Sequence, residues 1–352
     1  MTTDLVWSEQ DTTPDAIESA LRGLLVEFHA ANANYVPARV INLVCVVDKA
    51  WSGEIANRLR GVGRYHASRT VVCAVEPGRQ HINATATIAA DGEPRPGEFA
   101  LLRETVIVEC GTAHLANIDS IVDPLVVTDL ATVVWSPHGH PDAVDALLKL
   151  AQVVLLDSVD EPETEVALRR AHELSRHAYV VDLAWLRSTP WRERVAGSFD
   201  PPSRREELHH INSVSVRHHP DSAAAGLMFL GWLCSRLNWS PSRMLARNGT
   251  LHGRVSGRRQ DVELTLTPID MSVRGLCAVT IETSEGMHIE LARGDGGLRA
   301  VRRDARGGEQ KWTVLGASRG EAGILGEGIR QALLRDPTYT PALDAAARLI
   351  AA

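Results

Sequence analysis

The sequence predicts an α/β domain with a mixed sheet, followed by an α+β domain with an antiparallel meander. Three observations predict this. Short, nearly all-apolar runs alternate with amphipathic stretches up to about residue 183, the pattern of strands covered on both faces by helices. Beyond that point, strands of period two are joined by Gly-rich turns. Between the two textures lies Gly197 to Arg205, GSFDPPSRR, with Gly, Ser and a Pro pair, which reads as a linker. The expected organisation is a loose arm over 1–13, an α/β domain over 14–198 and an α+β domain over 199–352.

Thr13-Pro14-Asp15 reads as a helix start, with a capping hydroxyl, Pro in the first turn and then an acid. Ile17, Leu21, Leu24 and Phe28 follow on one face. Val40 to Val47 reads as a buried strand, Trp51 to Leu59 as a helix and GVGRYHASR as a loop. Thr70 to Val75 is a second buried strand. Gln80 to Ala90 alternates and is rich in Thr and Ile, as a half-exposed antiparallel strand would be. Thr105 to Cys110 is a further strand, after a turn at DGEPRPGE. Then come a helix over 114–121, strand 132–135, helix 141–150, strand 153–156, helix 162–175 and strand 179–183. In the second texture, strand 212–218 precedes a helix over 221–237. Strands follow near 249–256, 260–267, 275–282, 286–292, 297–303 and 312–315. A helix over 321–334 and an Ala-rich docking helix over 341–351 close the chain.

Composition narrows the function classes. Apolar content of 44% and charged content of 23% are ordinary for a globular protein. No apolar run reaches roughly 18 residues, so no transmembrane helix is expected. The acidic start, MTTDLVWSEQDTT, lacks the features of a secretory signal. The five cysteines are far apart with no C-x-x-C, which suits buried free thiols in a reducing cytoplasm. Residues 1–198 hold 27 acids and 17 bases, and residues 199–352 hold 17 acids and 20 bases. This dipolar layout favours oriented association and is no nucleic-acid footprint.

Motifs for chemistry are incomplete. Gly316-Ala-Ser-Arg-Gly320 fits G-x-S-x-G between a predicted strand and helix, where a nucleophilic serine belongs. In that fold the His base follows the Ser, whereas the last histidine here is His288. Ser318 with Glu321 also reads as a capping box. A serine hydrolase using Ser318 is therefore an alternative reading. Another is a sensor binding a sugar phosphate at Gly316–Gly320 or at an arginine cluster, Arg254, Arg258, Arg259, Arg299, Arg302, Arg303 and Arg306. That cluster reads more readily as charged strand edges that block aggregation. Gly61-Val-Gly63 precedes a strand rather than following one, the wrong order for a phosphate-binding loop. The histidine pairs 138/140, 209/210 and 218/219 lack metal-ligand spacing. No catalytic residue, metal or cofactor is expected.

Trp185 and Trp191 flank LRSTP after a buried strand, with Arg187, Arg192 and Arg194 interleaved. Trp with Arg is typical of interface hot spots, and Trp is also typical of cores. The composition suits either role.

Several segments in a set order carry a resemblance: ARVINLVCVVD (38–48), SRTVV (68–72), DPLVVTDLATVVW (123–135), VVLLDS (153–158), DLAWLRSTPWRE (182–193) and GLMFLGWLCSRLNW (226–239). Together they closely resemble the glucose-6-phosphate dehydrogenase assembly protein family, OpcA, of actinobacteria and cyanobacteria. The Arg bias, 34 against 3 Lys, suits an actinobacterial source. Two departures stand out: Ala67 where a Pro is expected, and Ser136 where a second Trp often follows Trp135. The resemblance implies a cytoplasmic, non-enzymatic partner of glucose-6-phosphate dehydrogenase. Such a partner favours the enzyme's active oligomer as an allosteric activator, and so raises flux into the oxidative pentose phosphate pathway. Candidate partner-binding residues are Trp185, Arg187, Trp191 and Arg192, then Arg64 and Arg69.

Overall fold

The computed structural model describes residues 4–31, 35–36, 39–63, 68–91, 100–137, 139–315 and 320–351. In chain order the elements are β1 (Leu5–Glu9), α1 (Pro14–Ala31), β2 (Tyr35–Val36), β3 (Ile41–Asp48), α2 (Ser52–Gly63), β4 (Ser68–Val75), β5 (Asn83–Asp91) and β6 (Ala100–Cys110). Next come α3 (Asp119–Val122), β7 (Ala131–Trp135), α4 (Pro141–Leu147), β8 (Val153–Leu156), α5 (Thr164–Leu174), β9 (Tyr179–Asp182), α6 (Leu183–Arg187) and α7 (Thr189–Phe199). The remainder is β10 (Ile211–His218), α8 (Ala223–Leu237), β11 (Leu245–Arg247), β12 (Thr250–Ser256), β13 (Asp261–Pro268), β14 (Leu276–Thr283), β15 (His288–Gly294), β16 (Gly297–Arg303), β17 (Glu309–Leu315), α9 (Gly320–Leu334) and α10 (Tyr339–Ile350).

Two compact units emerge. The first comprises 1–156, 177–181 and 325–334, and the second 157–176, 182–324 and 335–352. The sequence suggests one break at Gly197–Arg205, whereas the units exchange segments at several points. Within the expected loose arm over 1–13, one stretch is a strand. Leu5–Glu9 pairs antiparallel with β5 along its whole length.

The first unit is built on a mixed sheet in the order β1-β5-β6-β4-β3-β7-β8-β9, with β2 paired to β6. The pairs β6/β4, β4/β3, β3/β7 and β7/β8 are parallel. Its central strands are buried, with Ile41 to Val47 and Val71 to Val75 forming the core. That is why they read as continuous apolar runs rather than alternating ones. Asn42, fully buried, spends its amide on Val127, Leu130 and Thr132 and so fixes the chain entering β7.

The second unit carries an eight-stranded sheet in the order β11-β12-β13-β10-β14-β15-β16-β17. It is mixed, not a pure antiparallel meander: β10 lies between β13 and β14 and runs parallel to β13. Period-two patterning marks strands but does not say which partner each finds. Helix α8 is almost wholly buried and packs against α10. The approach is so close that a Cβ on Gly231 would lie 2.2 Å from the Ala342 carbonyl oxygen. Among the described residues no helix is long and apolar enough to cross a membrane.

Candidate functional site

Two regions concentrate polar chemistry. One is the Trp–Arg segment. The sequence suggests a loop there, but the structure folds it into α6 and α7. The local signals are ordinary: the Asp182 carboxylate caps α6 by accepting from the Ala184 N–H at 2.9 Å, and Pro190 sits in the first turn of α7.

Every candidate side chain in this segment faces inward. Trp185 and Trp191 are each 2% exposed, and Arg192 is 8% exposed. The Trp185 indole N–H donates to Asp336 Oδ2 at 2.8 Å, and Tyr339 packs edge-on to the indole. Arg192 stacks on the Trp185 ring and donates to Ser188 and Thr189. Burial lowers the Arg192 pKa to about 10, opposed by the charge of Asp336. For Asp336, burial pushes upward, but hydrogen bonds from Thr338 and Trp185, and the Arg192 charge, hold its carboxyl below the usual range. Arg187 pairs with Asp157 at 2.6 Å. Burial lifts the Asp157 pKa to about 7 despite that partner. Neighbouring Asp182 is also raised by burial, although Ser158 and Ala184 donate to it.

The other predicted residues fare differently. Arg69 is held inside the first unit, with Nε 2.7 Å from Glu104, which also receives Arg39. Arg64 and the stretch Gly316 to Arg319, including Ser318, lie outside the described residues. The arginines at 254–259 and 299–306 do not converge. β12 and β16 are separated by four strands, or about 24 Å at the usual strand spacing. Arg254 and Arg303 instead pair with the cross-strand acids Glu263 and Glu309. Cys45, Cys73, Cys110 and Cys234 are buried, and burial raises each thiol, to about 11 for Cys110 and about 12 for Cys234. Among the described residues no group of three His, Cys, Asp or Glu is placed to hold a metal.

The second region is the carboxyl edge of the parallel strands. Numbered along the chain, β3, β4, β6, β7, β8 and β9 stand in the order 3-2-1-4-5-6, the order of dinucleotide-binding sheets. Such sheets bind ligands where the order reverses, here between β3 and β7. The residues at that mouth do not fit a dinucleotide. The turn after β3 reads Asp48-Lys49-Ala50-Trp51-Ser52-Gly53, without the glycines that let a backbone approach a pyrophosphate. Lys49 and Arg79 reach across the strand ends to both Glu76 and Glu109, closing a ring of four ion pairs at 2.5–3.3 Å. His140 Nε2 lies 3.0 Å from Asp48 across the switch point. Ser136, at the position where a second Trp was expected, donates to the Val46 carbonyl and ties the β7 loop to β3. A Cβ on Gly111 would lie 1.9 Å from the Arg79 carbonyl oxygen, so the turns are closely packed as well.

Two residues after Lys49 comes Trp51, 50% exposed. Of the eight tryptophans it is the one in the exposed class. Sequence reasoning passed over it because it was counted into a helix. Its signal was its position directly after a buried strand.

Comparison with known proteins follows this geometry. Residues 60–173 match the family profile described as glucose-6-phosphate dehydrogenase subunit N-terminal domain, and residues 178–343 match the corresponding C-terminal domain. The protein named OxPP cycle protein OpcA of Synechocystis sp. is 33% identical over 132 residues, 36% of this chain and 28% of that protein. Its counterpart in Synechococcus elongatus is 30% identical over 143 residues, 39% of this chain and 32% of that protein. The matched stretch thus spans about a third of the length of these relatives. Among solved structures, the transcriptional regulator Gal80p of Kluyveromyces lactis superposes with a TM-score of 0.50 at 8% identity, covering 88% of this chain and 87% of that one. This likeness concerns the fold alone. With both halves matched in order, the chain belongs to the glucose-6-phosphate dehydrogenase assembly protein family, OpcA.

Proposed function

We propose that this chain is a non-catalytic partner of glucose-6-phosphate dehydrogenase that binds the enzyme's active oligomer preferentially. In this reading it promotes entry into the oxidative pentose phosphate pathway from the cytoplasm. The observation that carries the non-catalytic part is the ion-pair ring of Lys49, Glu76, Arg79 and Glu109. It closes over the carboxyl ends of β3, β4 and β6, beside the point where a sheet of this order would admit a cofactor. The family match supports the choice of partner.

Preferential binding to the competent oligomer shifts its population, and by linkage the enzyme's substrate tightens the complex. Trp51 is the contact residue of this reading: an accessible aromatic side chain two residues after Lys49 of the ring. Trp185, Arg187, Trp191 and Arg192 support the second unit from within, and Arg69 supports the first through Glu104. Arg64 stays a contact candidate beside them. The test is to mix the purified chain with its cognate dehydrogenase and to measure co-elution and initial rate. A complex and a higher rate at limiting substrate are expected. Absence of both across substrate concentrations overturns the reading.

A further inference from the structure

At the amino ends of β4 and β6, opposite the ion-pair ring, a hollow of about 240 Å³ opens in the first unit. A water's share of liquid volume is about 30 Å³, so this is room for a small molecule rather than a packing gap. Its floor is set by strand register. Thr105 on β6 stands opposite Thr70 on β4 and Thr87 on β5, so three hydroxyl-bearing side chains line up across three strands. Ser68 and Arg103, each two residues earlier on its strand, share that face. Ala56 and Leu59 of α2 form an apolar wall, and Asp4 stands at the exposed rim.

Arg103 sets the chemistry. Its Nε is shielded from solvent and finds no hydrogen-bond acceptor among the described residues. The nearest acid in sequence, Glu104, is already taken by Arg39 and Arg69. A shielded guanidinium N–H without an acceptor costs free energy, and a planar donor fork matches an oxyanion. The Ser68 and Thr70 hydroxyls share one hydrogen bond at 3.2 Å, which leaves one of their two protons, with those of Thr87 and Thr105, to donate to a ligand. The lining holds two acids, Asp4 at the rim and Glu104, whose carboxylate is paired with Arg39 and Arg69; its other polar side chains are cation and hydroxyl donors.

We propose that this hollow binds the phosphate-type oxyanion of a small metabolite, with Arg103 as its charged anchor. The site is independent of partner binding, so the chain alone tests it. Thermal unfolding and calorimetric titration would use inorganic phosphate and glycerol 3-phosphate, with chloride at matched ionic strength as control. Saturable stabilisation by a phosphate species beyond chloride is expected. Tighter binding of glycerol 3-phosphate would assign a phosphate ester, and equal binding would assign free phosphate. Either result supports the site.

Arg103→Met should weaken binding about tenfold or more. Asp4→Asn, which removes a like charge from the rim, should tighten it. Thr105→Val, nearly isosteric, covers the case in which Arg103→Met fails to fold, and should also weaken binding. No phosphate-specific effect on the wild type overturns the proposal. So does wild-type affinity in whichever of Arg103→Met and Thr105→Val remains folded.

Discussion

The guanidinium carbon of Arg192 lies 3.4 Å from the centroid of the Trp185 ring, while the same indole donates its N–H to Asp336. One aromatic ring is thus clamped by a cation on its face and a carboxylate at its edge, both within the second unit. Replacing Asp336 by Ala removes the acceptor of the indole and the counter-charge of Arg192 together. A loss of about 2–3 kcal/mol is expected, the cost of leaving buried donors unpaired. Urea unfolding measures it, and an unchanged midpoint contradicts the clamp.

The Asp157 carboxyl gives a pH prediction with a definite sign. Burial raises its folded pKa from 3.8 to about 7, so the native state holds a proton that the unfolded chain has released. Stability from this group is therefore full below the unfolded value and declines as pH rises from about 4 to about 7. Asp182 acts in the same direction, and His218, lowered by burial, acts in the opposite one. The difference between wild type and Asp157→Asn isolates the group. The variant should show a flatter fall in urea midpoint over that window. Parallel curves would show that Asp157 titrates normally.

At Gly231 the packing of α8 against α10 leaves no space for a methyl group. The contact is with backbone, the Ala342 carbonyl and the Ala346 N–H, which cannot rotate aside. Gly231→Ala should cost about 1–3 kcal/mol by overpacking, despite the better helix propensity of Ala. A thermal melt decides the sign.

Trp51 separates binding from folding. Its exposure predicts that Trp51→Ala costs less stability than Trp185→Ala. The same change should weaken the complex with the dehydrogenase by about 2 kcal/mol or more. Surface-immobilised dehydrogenase with titrated chain measures the second quantity. If the wild type binds and Trp51→Ala binds equally well, Trp51 is not the anchor, although the partnership stands. Trp185→Ala should do the reverse and lose stability first.

Much of the fold was legible in the sequence, for a physical reason. Buried parallel strands read as unbroken apolar runs, and β3, β4, β7 and β8 fall where those runs are. The later strands β12 to β16 fall where alternation and Gly turns place them. Three strands were missed: β2, of two residues, and β1 and β11. β1 is half exposed in an acidic segment, and β11 is three exposed residues, so neither carries a burial pattern. The candidate site was less legible. Tryptophan and arginine compose cores and interfaces alike, and only packing separates Trp185 from Trp51.

The sequence by itself determined the family and the positions of most strands. These depend on local order along the chain. Tertiary structure decided the rest: the 3-2-1-4-5-6 order, the pairing of Lys49 and Arg79 with Glu76 and Glu109, and the inward turn of the Trp–Arg segment. Each joins residues far apart in sequence, and strand order and side-chain burial are properties of which surfaces meet. No local pattern encodes that.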